Sequence, residues 1–181
     1  DVYKRQHLLP FFPFSSDDGF AVKDYKKISI EHGDWSDFKK IAKNFKIMID
    51  LVINHCSAEN YLFKNFLDNK EPGKNFFIVN DQKFKESLKI VRPRSSELSK
   101  KIEINGKYKY VWCTFSHDQV DLNFRNTEVL IFFLEIIKFY LDNNSKALRL
   151  DAVAFLWKEI GTRCINLPQT HDIIRLIRII I

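Results

Sequence analysis

The stretch KALRLDAVAFLWKE, residues 146–159, determines how the rest of this 181-residue sequence is interpreted. It begins as a short apolar strand that carries Arg149 and Asp151 two positions apart. Because successive side chains of a strand alternate between its faces, both charges point the same way. Such a pair at the polar end of a buried strand is either a structural ion pair or a carboxylate oriented for chemistry. An ionised, oriented aspartate is what a covalent nucleophile for sugar transfer requires.

Composition indicates one globular domain, because 45% hydrophobic residues with 14% aromatics fill a substantial core in a chain of this length. The net charge is +6, but the lysines are spread along the chain and form no basic helix. We therefore expect no nucleic-acid partner, and we interpret the charge as favouring solubility and tolerance of an anionic substrate.

Cysteine usage and the apolar runs favour a cytoplasmic protein. Cys56, Cys113 and Cys164 are an odd number without metal-ligand spacing, which predicts buried free thiols in a reducing compartment. The longest apolar run, residues 129–141, contains Glu135 and Lys138 and is too short to span a bilayer. No signal peptide opens the chain, so no membrane association is expected.

Strand-like and helix-like segments alternate along the chain. We predict strands at 7–12, at 46–55 and at the Arg149–Asp151 segment, and helices at 34–43, at 126–143 and from residue 167 onward. The passage between the second strand and the second helix is too long for a simple connection, so we expect a small loop-rich subdomain there.

This alternation predicts a parallel α/β fold, in which chemistry sits at the carboxyl ends of the strands. Polar residues do follow the three strands: Asp17 the first, Asn54 and His55 the second, Arg149 and Asp151 the third. No glycine-rich phosphate loop follows a strand, which disfavours a nucleotide-binding sheet and favours a barrel.

Two of these segments resemble the signatures of the α-amylase clan, or glycoside hydrolase family 13. They are DLVINH at 50–55 and LRLDAV at 148–153. The resemblance extends to its sucrose phosphorylase and glucosylglycerate phosphorylase branch through DDGF at 17–20, VRPR at 91–94, VWCTFSHDQVDLN at 111–123 and LWKEIGT at 156–162. It implies a partial (β/α)8 TIM barrel, from about the second to the fourth barrel strand, with a small loop-rich subdomain after the third.

The same resemblance implies an organisation in four segments. Residues 1–6 would be a non-matching extension, 7–56 and 126–181 barrel segments, and 57–125 the inserted subdomain. The chain opens without methionine and ends inside a helical pattern, so we expect a fragment of a longer protein that is truncated at its C-terminus.

By resemblance, Asp151 is the nucleophile that attacks the anomeric carbon of a glucoside. Arg149 would align it and keep it ionised. Asp50 and Asn54, four positions apart on one predicted strand face, would support the site without reacting.

Glucose would be held by three further residues. The resemblance assigns the ring hydroxyls to Asp17 and His55, and the sugar face to Phe20. Each has an alternative interpretation: Asp17 as a turn former through its own side chain, His55 as a structural histidine, and Phe20 as plain core.

The resemblance also implies roles on the acceptor side. Arg94 would meet the attacking phosphate, for which a guanidinium is well suited, and Phe115 and Gln119 would line the acceptor subsite. The alternatives are a solvated arginine and ordinary loop packing. Trp157 either stacks on sugar or is buried.

The implied reaction is a double displacement with net retention, in which phosphate replaces water and releases α-glucose 1-phosphate. Inorganic phosphate is then a co-substrate, and no cofactor or metal is expected. The resemblance implies that the general acid lies beyond Ile181, and Glu159 is not taken as a substitute, because it falls in a helix-like continuation that the family uses structurally. The isolated fragment is therefore expected to be inactive. A hydrolase or transglucosidase of the same clan and an inactive carbohydrate-binding relative remain alternatives, and the acceptor is not specified.

Overall fold

Three parallel strands form the sheet that carries the site. The computed structural model describes residues 4–85 and 89–181. In chain order the strands and helices are β1 Arg5–Leu8, α1 Trp35–Ala42, β2 Lys46–Val52, β3 His55–Ser57, α2 Tyr61–Leu67, β4 Val79–Asn80, β5 Ser99–Ile104, β6 Lys107–Trp112, β7 Gln119–Asp121, α3 Thr127–Asp142, β8 Ala147–Asp151 and α4 Pro168–Ile180.

The central sheet has the strand order β1-β2-β8, and both pairs are parallel. Strand β2 lies in the middle, with Ile47, Ile49 and Leu51 fully buried on one face and Asp50 and Val52 buried on the other, as expected for a parallel strand covered on both faces. Aromatic residues of α1 and α3 pack in the same core: Phe38 contacts Phe11, and a Tyr140 ring stacks on Phe12 at 5.3 Å. The predicted parallel α/β arrangement is confirmed.

The first strand differs from its prediction. It spans Arg5–Leu8 instead of 7–12, so Arg5 and Gln6, which the sequence placed in an extension, pair with Lys46 and Ile47. The strand stops before Pro10, which has no N–H to donate to the ladder. Of the predicted extension, residues 1–3 lie outside the described residues.

The two predicted helices that flank β2 and β8 are confirmed and begin at side-chain caps. Asp34 accepts hydrogen bonds from the backbone N–H groups of Ser36 and Asp37, and the Asp37 carboxylate accepts one from the Asp34 N–H, which completes a capping box at α1. The amide oxygen of Asn126 accepts a hydrogen bond from the Glu128 N–H and starts α3.

Strand β2 ends at Val52, three residues earlier than predicted. The chain then turns, and β3 pairs in antiparallel fashion with β7, so that His55 lies opposite Asp121. The passage predicted as loop-rich contains this pair, helix α2 and an antiparallel sheet of order β4-β6-β5. A second small core, formed by Phe84, Leu98, Trp112 and Cys164, lies beside that sheet.

The segment after β8 is not helical, so the prediction that Glu159 lies in a helix-like continuation is wrong. A single 3-10 turn covers Val153–Phe155, and the chain then runs irregularly until α4 begins at Pro168. The reason is burial: Leu156 and Lys158 are drawn inward at alternate positions, a spacing that a helix does not produce.

The predicted burial of the three cysteines, Cys56, Cys113 and Cys164, as free thiols is confirmed. Within residues 4–85 and 89–181, no helix combines the length and apolar character needed to cross a bilayer.

Candidate active site

A cavity of about 480 Å³ opens at the carboxyl ends of β1, β2 and β8. It is lined by all eight residues that the sequence assigned to catalysis or substrate binding, together with Asp18 and Pro93: Asp17, Phe20, His55, Arg94, Phe115, Gln119, Arg149 and Asp151. The structure therefore brings together side chains from the turn after β1, from β3, from the loop at 91–94, from β7 and the segment before it, and from β8.

Arg149 is the centre of an ionic chain at the floor of the site. Its Nη2 lies 3.2 Å from Asp151 Oδ1, and its Nη1 donates to Asp50 Oδ1. Asp50 is fully buried, and its second oxygen lies 2.8 Å from Nε2 of His7. Parallel pairing aligns Asp50 with Arg149 in register, so the two charges meet across the sheet. The predicted common face of Arg149 and Asp151 is confirmed.

Burial and neighbouring charges act on the pKa of Asp151 in opposite directions. Removal from solvent raises the pKa of this carboxyl above its ordinary value, while His55 and Arg149 oppose the rise. Arg149 acts in the predicted direction, and whether it keeps Asp151 ionised stays a prediction. Arg149 lowers the pKa of Asp151, but the loss of solvent outweighs that effect because β8 ends inside the cavity.

His55 is buried and makes contacts with both of its ring nitrogens. Its Nε2 lies 3.1 Å from the carbonyl oxygen of Phe20, and its Nδ1 lies 3.2 Å from Nδ2 of Asn54. The ring packs against Phe115 at a centroid distance of 4.9 Å. Burial lowers the pKa of His55, which favours a neutral imidazole at neutral pH.

Asn54 and Asp50 do not share a strand face, so that prediction is wrong. Because β2 ends at Val52, Asn54 leaves the sheet and turns toward the subdomain. There its side chain contacts Asp121 and Lys158, whereas Asp50 stays under Arg149. The two supporting residues thus belong to two separate networks.

The Asp17 side chain connects the turn after β1 to the loop at 91–94 and to β7. Its Oδ1 accepts a hydrogen bond of 2.8 Å from Arg94, and its Oδ2 accepts one of 2.9 Å from Gln119. The backbone of Asp17 has a φ of 56° and that of Gly19 a φ of 102°. A Cβ on Gly19 would lie 2.8 Å from Cβ of Pro10, so only glycine fits this close approach.

The aromatic candidates take different places. Phe20 lines the cavity with the Arg149 guanidinium 5.9 Å from its ring centre, and Phe115 packs between His55 and Phe155. Trp157 packs against the core and lies under the Arg125 guanidinium at 5.0 Å, so it is part of the packing behind the site.

The buried pair Lys158–Asp121 was not predicted from the sequence. The ammonium nitrogen lies 2.8 Å from Asp121 Oδ2, and the two side chains are 3% and 0% exposed. The sequence signal is weak: one lysine within the apolar run FLWKEI and one aspartate within QVDLN. In the part of the chain that the structure describes, no group of three or more histidine, cysteine, aspartate or glutamate side chains is arranged to hold a metal ion.

The chain is similar to proteins of known activity over almost its entire length. It is 45% identical over 177 residues to a glucosylglycerate phosphorylase of Spirochaeta thermophila, an alignment that covers 98% of this chain and 30% of the relative. It is 32% identical to a sucrose phosphorylase of Streptococcus mutans, with 90% of this chain and 36% of the relative covered.

A solved structure gives the same result. The sucrose 6F-phosphate phosphorylase from Thermoanaerobacter thermosaccharolyticum superposes with a TM-score of 0.85 at 33% identity and covers 94% of this chain and 38% of that one. The chain therefore spans about a third of the length of these relatives and is part of a TIM-barrel catalytic domain. The family described as "Alpha amylase, catalytic domain" matches residues 5–178, and the chain belongs to that family.

Proposed function

We propose that these residues form the glucose-binding and nucleophile-bearing part of a retaining α-glucoside phosphorylase. The observation that carries the proposal is the cavity itself, in which Asp151, Arg149, His55 and Asp17 converge with Arg94. The similar proteins are phosphorylases of glucosylglycerate and sucrose, which supports the same reaction class for the protein that contains this chain.

In the proposed first step, a carboxylate oxygen of Asp151 attacks the anomeric carbon. The bond from that carbon to the leaving oxygen breaks, and a general acid protonates the leaving group. Arg149 holds Asp151 in line and stabilises its ionised form against burial. The product is a β-glucosyl ester on Asp151 and a free acceptor alcohol.

Glucose recognition is assigned to the wall of the same cavity. Asp17 and His55 would bond ring hydroxyls, and Phe20 would cover the sugar face. Phe115 and Gln119 also line a neighbouring cavity together with Asp17 and Arg94, which suits an acceptor subsite. Asp50 and Asn54 support the site through Arg149 and His55 without touching substrate.

In the proposed second step, a phosphate oxygen attacks the glucosyl carbon, the ester bond to Asp151 breaks, and α-glucose 1-phosphate leaves. Arg94 is the residue placed to receive phosphate, because its guanidinium lines the cavity and its side chain remains 55% exposed. Its present partner is Asp17 at 2.8 Å, so phosphate would compete with that ion pair.

The contact with Asp17 also supports a second candidate, hydrolysis or transglucosylation by the same site. An arginine that remains paired to Asp17 orders the glucose subsite and needs no phosphate. The two candidates differ in whether phosphate takes part in the second step.

The deciding experiment uses the full-length polypeptide with sucrose or glucosylglycerate, with and without inorganic phosphate. Phosphorolysis predicts glucose 1-phosphate that depends on phosphate, and it predicts that Arg94→Gln loses this product while slow glucose release continues. Arg94→Lys, which keeps the positive charge but loses the planar guanidinium with its paired N–H donors, should show a raised KM for phosphate. Glucose release that is insensitive to phosphate in the unaltered protein would establish hydrolysis instead.

The nucleophile has its own test. Asp151→Asn should lower turnover by roughly 10⁴-fold or more, as loss of the nucleophile does in other covalent enzymes. A glucosyl fluoride with fluorine in place of the 2-hydroxyl reacts slowly and should trap the glucosyl-enzyme intermediate. Peptide mapping should then find the adduct on the peptide that contains Asp151. Asp142→Asn, at an exposed carboxylate on α3, is the matched control and should be fully active.

We also propose that the 181-residue chain does not turn over by itself. A retaining site needs a second carboxyl group about 5–5.5 Å from the nucleophile. Among the residues that the structure describes, the cavity is lined by the carboxyl groups of Asp17 and Asp18 alone besides Asp151. Asp17 is already bound by Arg94 and Gln119. Release of glucose 1-phosphate by the purified chain would refute this proposal.

The remaining assignments follow the same reaction class. We infer that the partners are a small-molecule α-glucoside and phosphate, that no cofactor or metal is needed, that neither nucleic acid nor membrane is a partner, and that the protein works in the cytoplasm. We keep residues 7–56 and 126–181 as barrel segments and 57–125 as the subdomain after the third barrel strand.

A further inference from the structure

A fully buried lysine lies behind the sugar-binding wall of the cavity. Lys158 donates 2.6 Å to Asn54 Oδ1, and its Nζ also lies 2.8 Å from Asp121 Oδ2. Its own carbonyl accepts a hydrogen bond from Arg125. Asp121 is further held by the backbone N–H and the hydroxyl of Thr114. The pair is therefore compensated and rigid, as a buried ion pair must be.

This network determines how the amide of Asn54 is oriented. An ammonium group only donates hydrogen bonds, so the Asn54 atom that it touches must be the carbonyl oxygen. A carboxylate only accepts, so the atom that contacts Asp121 at 3.0 Å must be the amide nitrogen. Two neighbours of opposite character thus impose the same orientation.

The orientation of Asn54 in turn determines the tautomer of His55. The second hydrogen of the amide nitrogen points at His55 Nδ1, 3.2 Å away, so Nδ1 accepts. On the other side of the ring, Nε2 has two neighbours: the Phe20 carbonyl at 3.1 Å, which only accepts, and the Gln119 amide nitrogen at 3.2 Å, which donates to Asp17. Since Nδ1 accepts from Asn54, the proton of the neutral ring is on Nε2 and is donated to Phe20. The geometry points to Lys158 as a positioning residue that, with Asp121 and through Asn54, holds His55 as the neutral Nε2–H tautomer.

The one Nε2 hydrogen faces the Phe20 carbonyl, beside Gln119 at the cavity wall. That a sugar hydroxyl takes this hydrogen in place of the carbonyl rests on the proposed function. The tautomer itself does not, because it can be measured without any substrate.

The test is a ¹⁵N spectrum of the full-length polypeptide labelled at histidine, with the His55 signals assigned by their absence from His55→Gln. In the unaltered protein at neutral pH, Nδ1 should give the shift of an unprotonated ring nitrogen and Nε2 that of a protonated one. A protonated Nδ1, whether in the other tautomer or in the cation, would overturn the inference.

Two variants separate the residues of the network. Asn54→Asp combined with Asp121→Asn exchanges the two side chains and conserves charge, but places an acceptor-only group against Nδ1. We expect the Nδ1 signal to become that of a protonated nitrogen. Lys158→Met combined with Asp121→Asn also conserves net charge, and it leaves the side-chain amide of Asn54 free to turn. We then expect the His55 spectrum to lose the signals of a single Nε2–H tautomer.

Thr114→Val is the control, since it removes one hydrogen bond to Asp121 and leaves Asn54 in place. It should lower stability without changing the His55 spectrum. If the Nε2–H tautomer persists in both double variants, Lys158 is only a structural residue and the inference is wrong. This result would leave the proposed phosphorolysis unaffected.

Discussion

Replacing Arg149 with glutamine tests the electrostatic balance at the proposed nucleophile. Burial raises the pKa of Asp151, and the Arg149 guanidinium is one of the two groups that oppose the rise. Asp50, which Arg149 now neutralises, adds a like charge that raises the pKa of Asp151 further. Removal of the guanidinium therefore acts twice in the same direction and favours protonated, inactive Asp151.

The magnitude follows from the separation of the two charges, 3.2 Å between Arg149 Nη2 and Asp151 Oδ1. Two unit charges at that distance interact by about 1.3 kcal/mol at the dielectric constant of water and by about 5 kcal/mol at an effective value of about 20. Because the Arg149 side chain is 45% exposed, solvent screening favours the lower figure. About 1.4 kcal/mol is a tenfold change, so the ionised fraction of Asp151 at a given acidic pH should fall about tenfold.

The assay is kcat/KM for α-glucoside cleavage across pH in the full-length polypeptide. The nucleophile acts as the carboxylate, so activity falls as pH drops through the pKa of Asp151, and a raised pKa moves that fall to higher pH. Arg149→Gln should show this movement in addition to a lower rate at all pH values. Lys146→Gln removes an exposed charge just before the same strand and should leave the profile unchanged. An acid limb that stays in place, or moves to lower pH, would refute the reasoning.

Three further predictions concern stability. Gly19→Ala should lower the free energy of unfolding, measured by urea titration, by about 3 kcal/mol and should weaken sugar binding. Gly106 also has a positive φ, 73°, but has open space around it, so Gly106→Ala should lower the same free energy by only about 1 kcal/mol. Burial raises the pKa of Tyr61 to about 12. The stability that the protonated Tyr61 hydroxyl contributes is therefore complete below pH of about 10 and is lost as pH rises toward 12. Tyr61→Phe should flatten the decline in melting temperature at alkaline pH. Lys158→Met leaves the buried carboxylate of Asp121 uncompensated and should lower the free energy of unfolding by about 3–5 kcal/mol. Lys138→Met, at an exposed ion pair, should change it by no more than about 1 kcal/mol. Equal losses in the two variants would contradict this account.

Much of the candidate site could be predicted because it lies on, or next to, regular strands. The period of two put Arg149 and Asp151 on one face, and the carboxyl-end rule for parallel sheets brought Asp17, His55 and Asp151 to one edge. The position of Arg94 was different, because nothing in the composition of its loop indicates in which direction the side chain points. Only its resemblance to a family motif suggested that it enters the cavity.

The sequence by itself determined the parallel α/β class, the helix starts at Asp34 and Asn126, and the alignment of Arg149 with Asp151, because these depend on contacts between near neighbours in the chain. Only the tertiary structure decided the rest. It closed the pair between Asp17 and Arg94 across 77 residues and separated Asn54 from Asp50 by ending β2 early. It also buried Lys158 against Asp121 and let solvent exclusion outweigh Arg149 at Asp151. Burial and the direction of side chains in irregular segments are set by distant elements, and no local pattern records them.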